Sequence, residues 1–149
     1  MPEAPEVQTV LSTLETQIKN VSIEDVLIYY PKIIDNVEVE TFKNQLIGQT
    51  FHSFNRLGKY LIFGLDDYDL VVHLRMEGKY FIKNINDEIV KHEHIIIEFG
   101  NISLRYHDTR KFGRMYLTEN PDSYESLHKL GLEPFSKEMI PRKKKKKLS

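Results

Sequence analysis

The sequence holds no cysteine, which excludes disulfides and any cysteine-ligated zinc on this chain. It has no run of 18 apolar residues and no charged-then-apolar leader, so it offers neither a membrane-spanning helix nor an export signal. These absences fit a cytosolic protein. No internal repeat divides the chain. Net charge is also nearly absent, at −1, which argues mildly against a nucleic-acid partner. What is present is 40% hydrophobic and 29% charged residues in 149, the balance of an ordinary globular protein of about one domain with a real core.

The small net charge hides an uneven distribution. Six consecutive basic residues run from Arg142 to Lys147, and without them the net charge of −1 becomes −7 for residues 1–141. A run of this kind predicts a disordered tail over 137–149, either a nucleic-acid arm or a solvated end. Upstream, Arg56, Lys59, Arg75, Lys79, Arg105, Arg110, Lys111 and Arg114 fall around loops and strand ends. They predict a local positive face on a negative body, or else a scatter of solvated charges.

Residues 4–19 carry Val7, Val10, Leu11, Leu14 and Ile18 at three- and four-residue spacing, which predicts an amphipathic helix. Residues 21–30 read as a strand ending before Pro31, and 39–46 as a short polar helix stopped by Gly48. Seven short strands follow, predicted at 49–57, 59–65, 70–76, 79–85, 94–99, 102–106 and 113–118. Asp66-Asp67-Tyr68-Asp69 and Gly100-Asn101 read as hairpin turns. A last helix is predicted over 124–130. Short strands at this spacing point to an antiparallel β-sandwich or a barrel, mainly β with flanking helices.

Chemistry concentrates in a few stretches. Removal of Met1 would expose Pro2 as a secondary amine, and a free α-amino group titrates near ~8, leaving a useful unprotonated fraction at neutral pH. Such an amine can attack an electrophilic carbon and form an imine, with Glu3 as proton donor or acceptor. Pro-Glu also suits the first turn of a helix, so both readings stand. In Arg56-Leu57-Gly58-Lys59-Tyr60-Leu61, Lys59 on a turn reaches a phosphate or is simply solvated.

In His73-Leu74-Arg75-Met76-Glu77-Gly78, alternation puts His73 and Arg75 on one face and Leu74 and Met76 on the other. If the strand gives way to a turn, Met76 instead stands at a tip, where an apolar side chain can wedge between DNA bases. Asp108-Thr109-Arg110-Lys111-Phe112-Gly113 offers Arg110 and Phe112 as a phosphate-and-stacking pair, provided that they are exposed. His92-Glu93-His94 with His107 has imidazoles for a metal, but no cysteine and no carboxylate at zincin spacing, so no metal is assigned.

Taken together these stretches resemble the formamidopyrimidine-DNA glycosylases, bacterial enzymes that remove oxidised purines. Pro2-Glu3-Ala4-Pro5-Glu6-Val7 matches the family's opening signature. Gly58-Lys59-Tyr60-Leu61 resembles its lysine loop, His73–Gly78 its His-Leu-x-Met motif and Asp108–Gly113 its Asp-x-Arg-x-Phe-Gly motif. Lys91-His92-Glu93-His94 and Gly131-Leu132-Glu133-Pro134-Phe135-Ser136 fall where similar family segments do. Six segments in order over residues 2–136 are specific as a set.

The resemblance implies a two-sheet antiparallel β-sandwich with the N-terminal helix packed against it. It implies Pro2 as nucleophile at C1′ of the damaged nucleotide, Glu3 as acid/base, Lys59 at the lesion nucleotide or its phosphate, and Glu6 as support. Met76, Arg110 and Phe112 would fill the gap left by the everted base, and His73 and His92 would bind DNA. The partner implied is double-stranded DNA with oxidised bases or abasic sites, met by a monomer in the bacterial cytoplasm near the nucleoid. Residues 1–136 correspond to the family's N-terminal domain. Its helix–two-turn–helix domain and four-cysteine zinc finger have no counterpart here, so no cofactor is expected and the DNA cleft keeps one wall. Weak or no repair activity is the expectation for this span. A non-catalytic DNA-binding module is the competing reading, and a pyrimidine-specific relative the nearest alternative within the enzymes.

Overall fold

Val7, Leu11, Leu14 and Ile18 are all buried along α1 (Ala4–Ile18), the stripe their spacing predicts. The structure, a computed structural model, describes residues 4–119 and 123–132, with backbone alone at Ala4, Pro5, Ser123 and Tyr124. Pro2, Glu3 and the expected tail at 137–149 lie outside the described residues. So does most of the Gly131–Ser136 segment.

After α1 come β1 (Asp25–Ile28), a single 3-10 turn (Pro31–Ile33) and α2 (Val39–Leu46). The strands β2 (Ser53–Leu57), β3 (Tyr60–Gly64), β4 (Tyr68–His73), β5 (Lys79–Asn84), β6 (Glu93–Glu98), β7 (Ile102–His107) and β8 (Arg114–Glu119) follow, and then α3 (Ser123–Lys129). They form two four-stranded antiparallel sheets, ordered β1-β6-β7-β5 and β2-β3-β4-β8. The pattern left a sandwich or a barrel open. The structure is the two-sheet sandwich.

One apolar core joins the sheets, with Leu61, Phe63, Leu70, Val72, Met115 and Leu117 from one and Val26, Ile95, Ile97, Leu104 and Tyr106 from the other. The α1 stripe belongs to the same core. The alternate residues Tyr60, Ile62, Val71 and Tyr116 face outward and pack with Leu127 of α3, where the Ser126 hydroxyl donates to Asp69 at 2.6 Å. With both faces covered, β3 and β4 are near-continuous apolar runs rather than alternating ones.

Some boundaries move. The strand expected over 21–30 shrinks to β1, because Ser22 forms only an isolated bridge to Thr50 and Pro31 opens the 3-10 turn. The strand expected over 49–57 begins at Ser53. Tyr68 and Asp69 belong to β4, so the β3–β4 turn is shorter than the acidic run suggested. The strand expected to reach Met76 ends at His73.

Two connections pass from one sheet to the other at the same end of the sandwich. Residues 74–78 link β4 to β5, and residues 108–113 link β7 to β8. Their flanks align, since Tyr60 and Arg114 both pair with His73, while Lys79 and Glu93 both pair with His107.

Candidate nucleic-acid interface

The aligned strand ends gather most of the singled-out side chains. In the two-residue β2–β3 turn, Gly58 takes φ +61° and Lys59 is exposed, its Nζ 5.8 Å from the Tyr60 ring centre. Tyr60 in turn meets His73 edge-on at 5.2 Å.

Beyond His73 the chain turns instead of continuing as a strand. The Gly78 N–H donates to the Leu74 carbonyl at 2.9 Å, and Arg75 adopts φ +58°. The alternation expected for 73–76 therefore fails: Leu74 is buried while Arg75 and Met76 are both exposed. Met76 stands 71% exposed at the tip. Burying so large an apolar side chain would be worth about 2 kcal/mol, a contribution that its exposure leaves unused.

His73 is neutral here. Burial, with Arg75 and Lys59 adding repulsion, pushes its pKa down to about 4. The Arg75 N–H donates to His73 Nδ1 at 3.0 Å, which leaves the ring proton on Nε2.

The second crossing is built by one carboxylate. Asp108 is buried, and its Oδ1 accepts the Arg110 and Lys111 N–H groups at 3.1 and 3.0 Å. Its Oδ2 accepts the Gly113 N–H at 2.9 Å and the Tyr106 hydroxyl at 2.8 Å. This network holds the loop open and turns Arg110 and Phe112 outward. Phe112 is 53% exposed, and the Arg110 guanidinium lies 5.3 Å from its ring centre. Both side chains are thus exposed, as a phosphate-and-stacking pair requires. Lys111, at φ +60°, turns to the Tyr30 ring 4.9 Å away.

His92 is half-buried on the turn before β6, at φ +75°, not on the strand with His94. Its ring lies 6.3 Å from that of His94 and 5.7 Å from that of His107. His94 Nε2 donates to the Asp108 carbonyl at 2.7 Å, tying this corner to the second crossing. Among the described residues no group of three or more His, Asp or Glu side chains is arranged to hold a metal ion.

Arg105 does not belong to the positive face expected of it. It is 1% exposed, and all five of its N–H donors are used. Nε reaches Ser103 Oγ, Nη1 the Glu93 carboxylate and the Glu88 carbonyl, and Nη2 the Asn84 and Asp87 carbonyls, at 2.9–3.2 Å. Lys83 pairs with the other Glu93 oxygen. Burial raises the Glu93 pKa, but Lys83, the Val90 N–H and Arg105 together hold it below the usual carboxylate range. Of the other basic residues at this end, Lys59, Arg75, Lys79, Arg110 and Lys111 are exposed, while Arg114 is half-buried and donates to the Lys111 and Gly113 carbonyls.

The first turn of α1 comes to the same end. Glu6, exposed, and Val7 line a small apolar cavity with Leu74, Gly78 and Phe81. Thus Lys59, His73, Met76, His92, Arg110 and Phe112 lie at one end of the sandwich, as does Glu6. Sequence reasoning missed the roles of Asp108 and Tyr106; an aspartate opening a glycine-closed loop was the available signal.

Comparison with known proteins agrees with this geometry. Residues 1–115 match the family model described as the formamidopyrimidine-DNA glycosylase N-terminal domain. The formamidopyrimidine-DNA glycosylase of Enterococcus faecalis is 46% identical over 137 residues, covering 90% of this chain and 49% of the relative. That of Halalkalibacterium halodurans is 46% identical over 140 residues, with 91% and 51% covered. The chain thus spans about half the length of the curated relatives it matches.

The Lactococcus lactis Fpg protein bound to abasic-site DNA superposes with a TM-score of 0.80 at 37% identity, over 86% of this chain and 48% of that one. The same protein with Fapy-dG DNA gives 0.79 at 38% identity, over 85% and 48%. Motifs, two-sheet architecture and relatives agree: the chain belongs to the formamidopyrimidine-DNA glycosylase family, through its N-terminal domain.

Proposed function

We propose that this chain supplies the nucleophile and the strand-invading side chains of a DNA glycosylase/AP lyase acting on oxidised purines. The observation that carries the proposal is the exposure of Met76 and Phe112 at one end of the sandwich, beside Arg110 and Lys59. Two large apolar side chains standing in water among cations suit a duplex with a displaced base: phosphates outside, an unstacked gap within.

Pro2 would attack C1′ through its free amine. The glycosidic bond breaks, the base leaves with a proton, and the opened sugar is held as an iminium. Glu3 would exchange the proton at the sugar oxygen. Loss of the 3′- and then the 5′-phosphate by β- and δ-elimination would follow. Glu6, four residues after Pro2 in the sequence, lines the apolar cavity at this end. Lys59 would contact the lesion nucleotide or its phosphate, while Met76, Arg110 and Phe112 fill the gap. His73, neutral, would donate through Nε2 to a phosphate, and His92 would bind the backbone nearby. One chain would act per lesion, in the bacterial cytoplasm. The family's four-cysteine zinc finger finds no ligands in this sequence, which has no cysteine.

Borohydride trapping on abasic-site duplex tests the proposal. Chain with a free Pro2 should yield a covalent adduct, at low level for a half-length span. Chain that retains Met1, whose Pro2 nitrogen is an amide, should yield none. Duplex binding with no adduct from the free-Pro2 chain would select the non-catalytic DNA-binding module, a reading favoured by the half-length match to the relatives.

A further inference from the structure

Tyr106 is fully buried, yet its hydroxyl lies where the two sheet-to-sheet crossings meet. It shares Asp108 Oδ2 with the Gly113 N–H. A methyl group built at Gly113 would come within 1.7 Å of that hydroxyl, and one at Gly78 within 2.6 Å of it and 2.5 Å of the Leu74 carbonyl oxygen. Neither glycine leaves room for a side chain, and the Tyr106 hydroxyl is packed against both backbones. Gly78 lies two residues after Met76, and Gly113 directly follows Phe112.

The neighbouring Tyr80, with its ring 5.2 Å away, makes a useful contrast. Its hydroxyl donates to the Met115 sulfur at 3.6 Å, inside the core. Tyr80 fills core, whereas Tyr106 also spends its polar group on the loops. Burial and the Asp108 carboxylate push the Tyr106 ionisation far above that of an ordinary tyrosine, so the hydroxyl stays a donor at any working pH.

We propose that the Tyr106 hydroxyl is a positioning group that locks the spacing between Met76 and the Arg110–Phe112 pair, so that they enter a duplex as one wedge. This rests on the DNA-binding reading above. An insertion shared by two loops works only if neither loop can retreat independently, and the shared oxygen makes their displacement joint.

Tyr106→Phe keeps the ring and removes the joint. In the DNA-free chain, amide hydrogen exchange should quicken about tenfold at Gly78 and also at Arg110, Lys111 and Gly113, while Tyr80→Phe leaves those amides unchanged. Faster exchange confined to 108–113 would overturn the proposal, since the two crossings would then be uncoupled. On duplex, the Tyr106→Phe chain should hold its affinity for intact DNA within about twofold and lose roughly tenfold of its preference for DNA with an abasic-site analogue. Equal loss on both duplexes would reduce Tyr106 to a core residue. If the unaltered chain showed no such preference, the DNA reading and the wedge would both fail, while the exchange data would still report whether the loops are joined.

Discussion

Arg105 and Arg110 stand five residues apart, on either side of the end of β7, and the fold treats them in opposite ways. Arg105 is sealed in with every donor matched, four of its five partners lying on the chain between Asn84 and Glu93. It staples the turn that carries His92. Arg110 is exposed, with the Phe112 ring beneath it and a loop held open by Asp108. The difference teaches how to separate cations that hold the chain from cations offered to a partner. The first kind has its hydrogen bonds closed inside the protein, and the second keeps donors facing water.

The comparison is broken most severely from the Arg105 side. Glu93→Gln removes the carboxylate charge and leaves a buried guanidinium uncompensated, which should cost about 3–5 kcal/mol of stability by thermal or urea unfolding. Duplex affinity of the folded fraction should fall by no more than about twofold, through the loosened His92 turn alone. A loss under about 1 kcal/mol would mean that Lys83 and the backbone carbonyls hold Arg105 unaided.

Phe112→Ala should do the reverse, leaving stability within ~0.5 kcal/mol while weakening binding to abasic-site duplex by about 1–3 kcal/mol. A Phe112 variant that unfolded as readily as the Glu93 variant would erase the distinction between the two regions.

At neutral pH the smallest effect comes from His73, whose contribution changes only as pH falls. Unfolded, it takes a proton near ~6.5; folded, near about 4. Between these values the unfolded chain binds more protons, so stability is full above pH ~6.5 and falls as pH drops toward 4. The His73 ring signals should titrate with a midpoint near 4, and His73→Gln should flatten that part of the stability profile. A midpoint at 6 or above would mean that the site is open to water.

Much of the fold was legible because its signals are local. The α1 stripe, the Gly58-Lys59 turn and the Gly100-Asn101 turn each follow from neighbours in sequence. What escaped is nonlocal. No periodicity reveals that Arg105 meets Glu93 twelve residues upstream, or that β4 stops at His73 because Leu74 and Gly78 close a turn. Met76 and Phe112 were readable as exposed only through the residue types around them. The loop role of Asp108 was half visible, as an aspartate five residues before a glycine. The spacer role of Tyr106 was not visible at all, since it depends on two glycines from different crossings arriving at one hydroxyl.

The neutral state of His73 has a consequence for how binding should respond to ionic strength. Each lysine or arginine that meets a phosphate displaces condensed counterions, which steepens the fall of affinity with salt. An uncharged imidazole donating through Nε2 displaces none. The salt slope would therefore count Lys59, Arg75 and Arg110 and omit His73, so the number of phosphates touched would exceed the number of ions released.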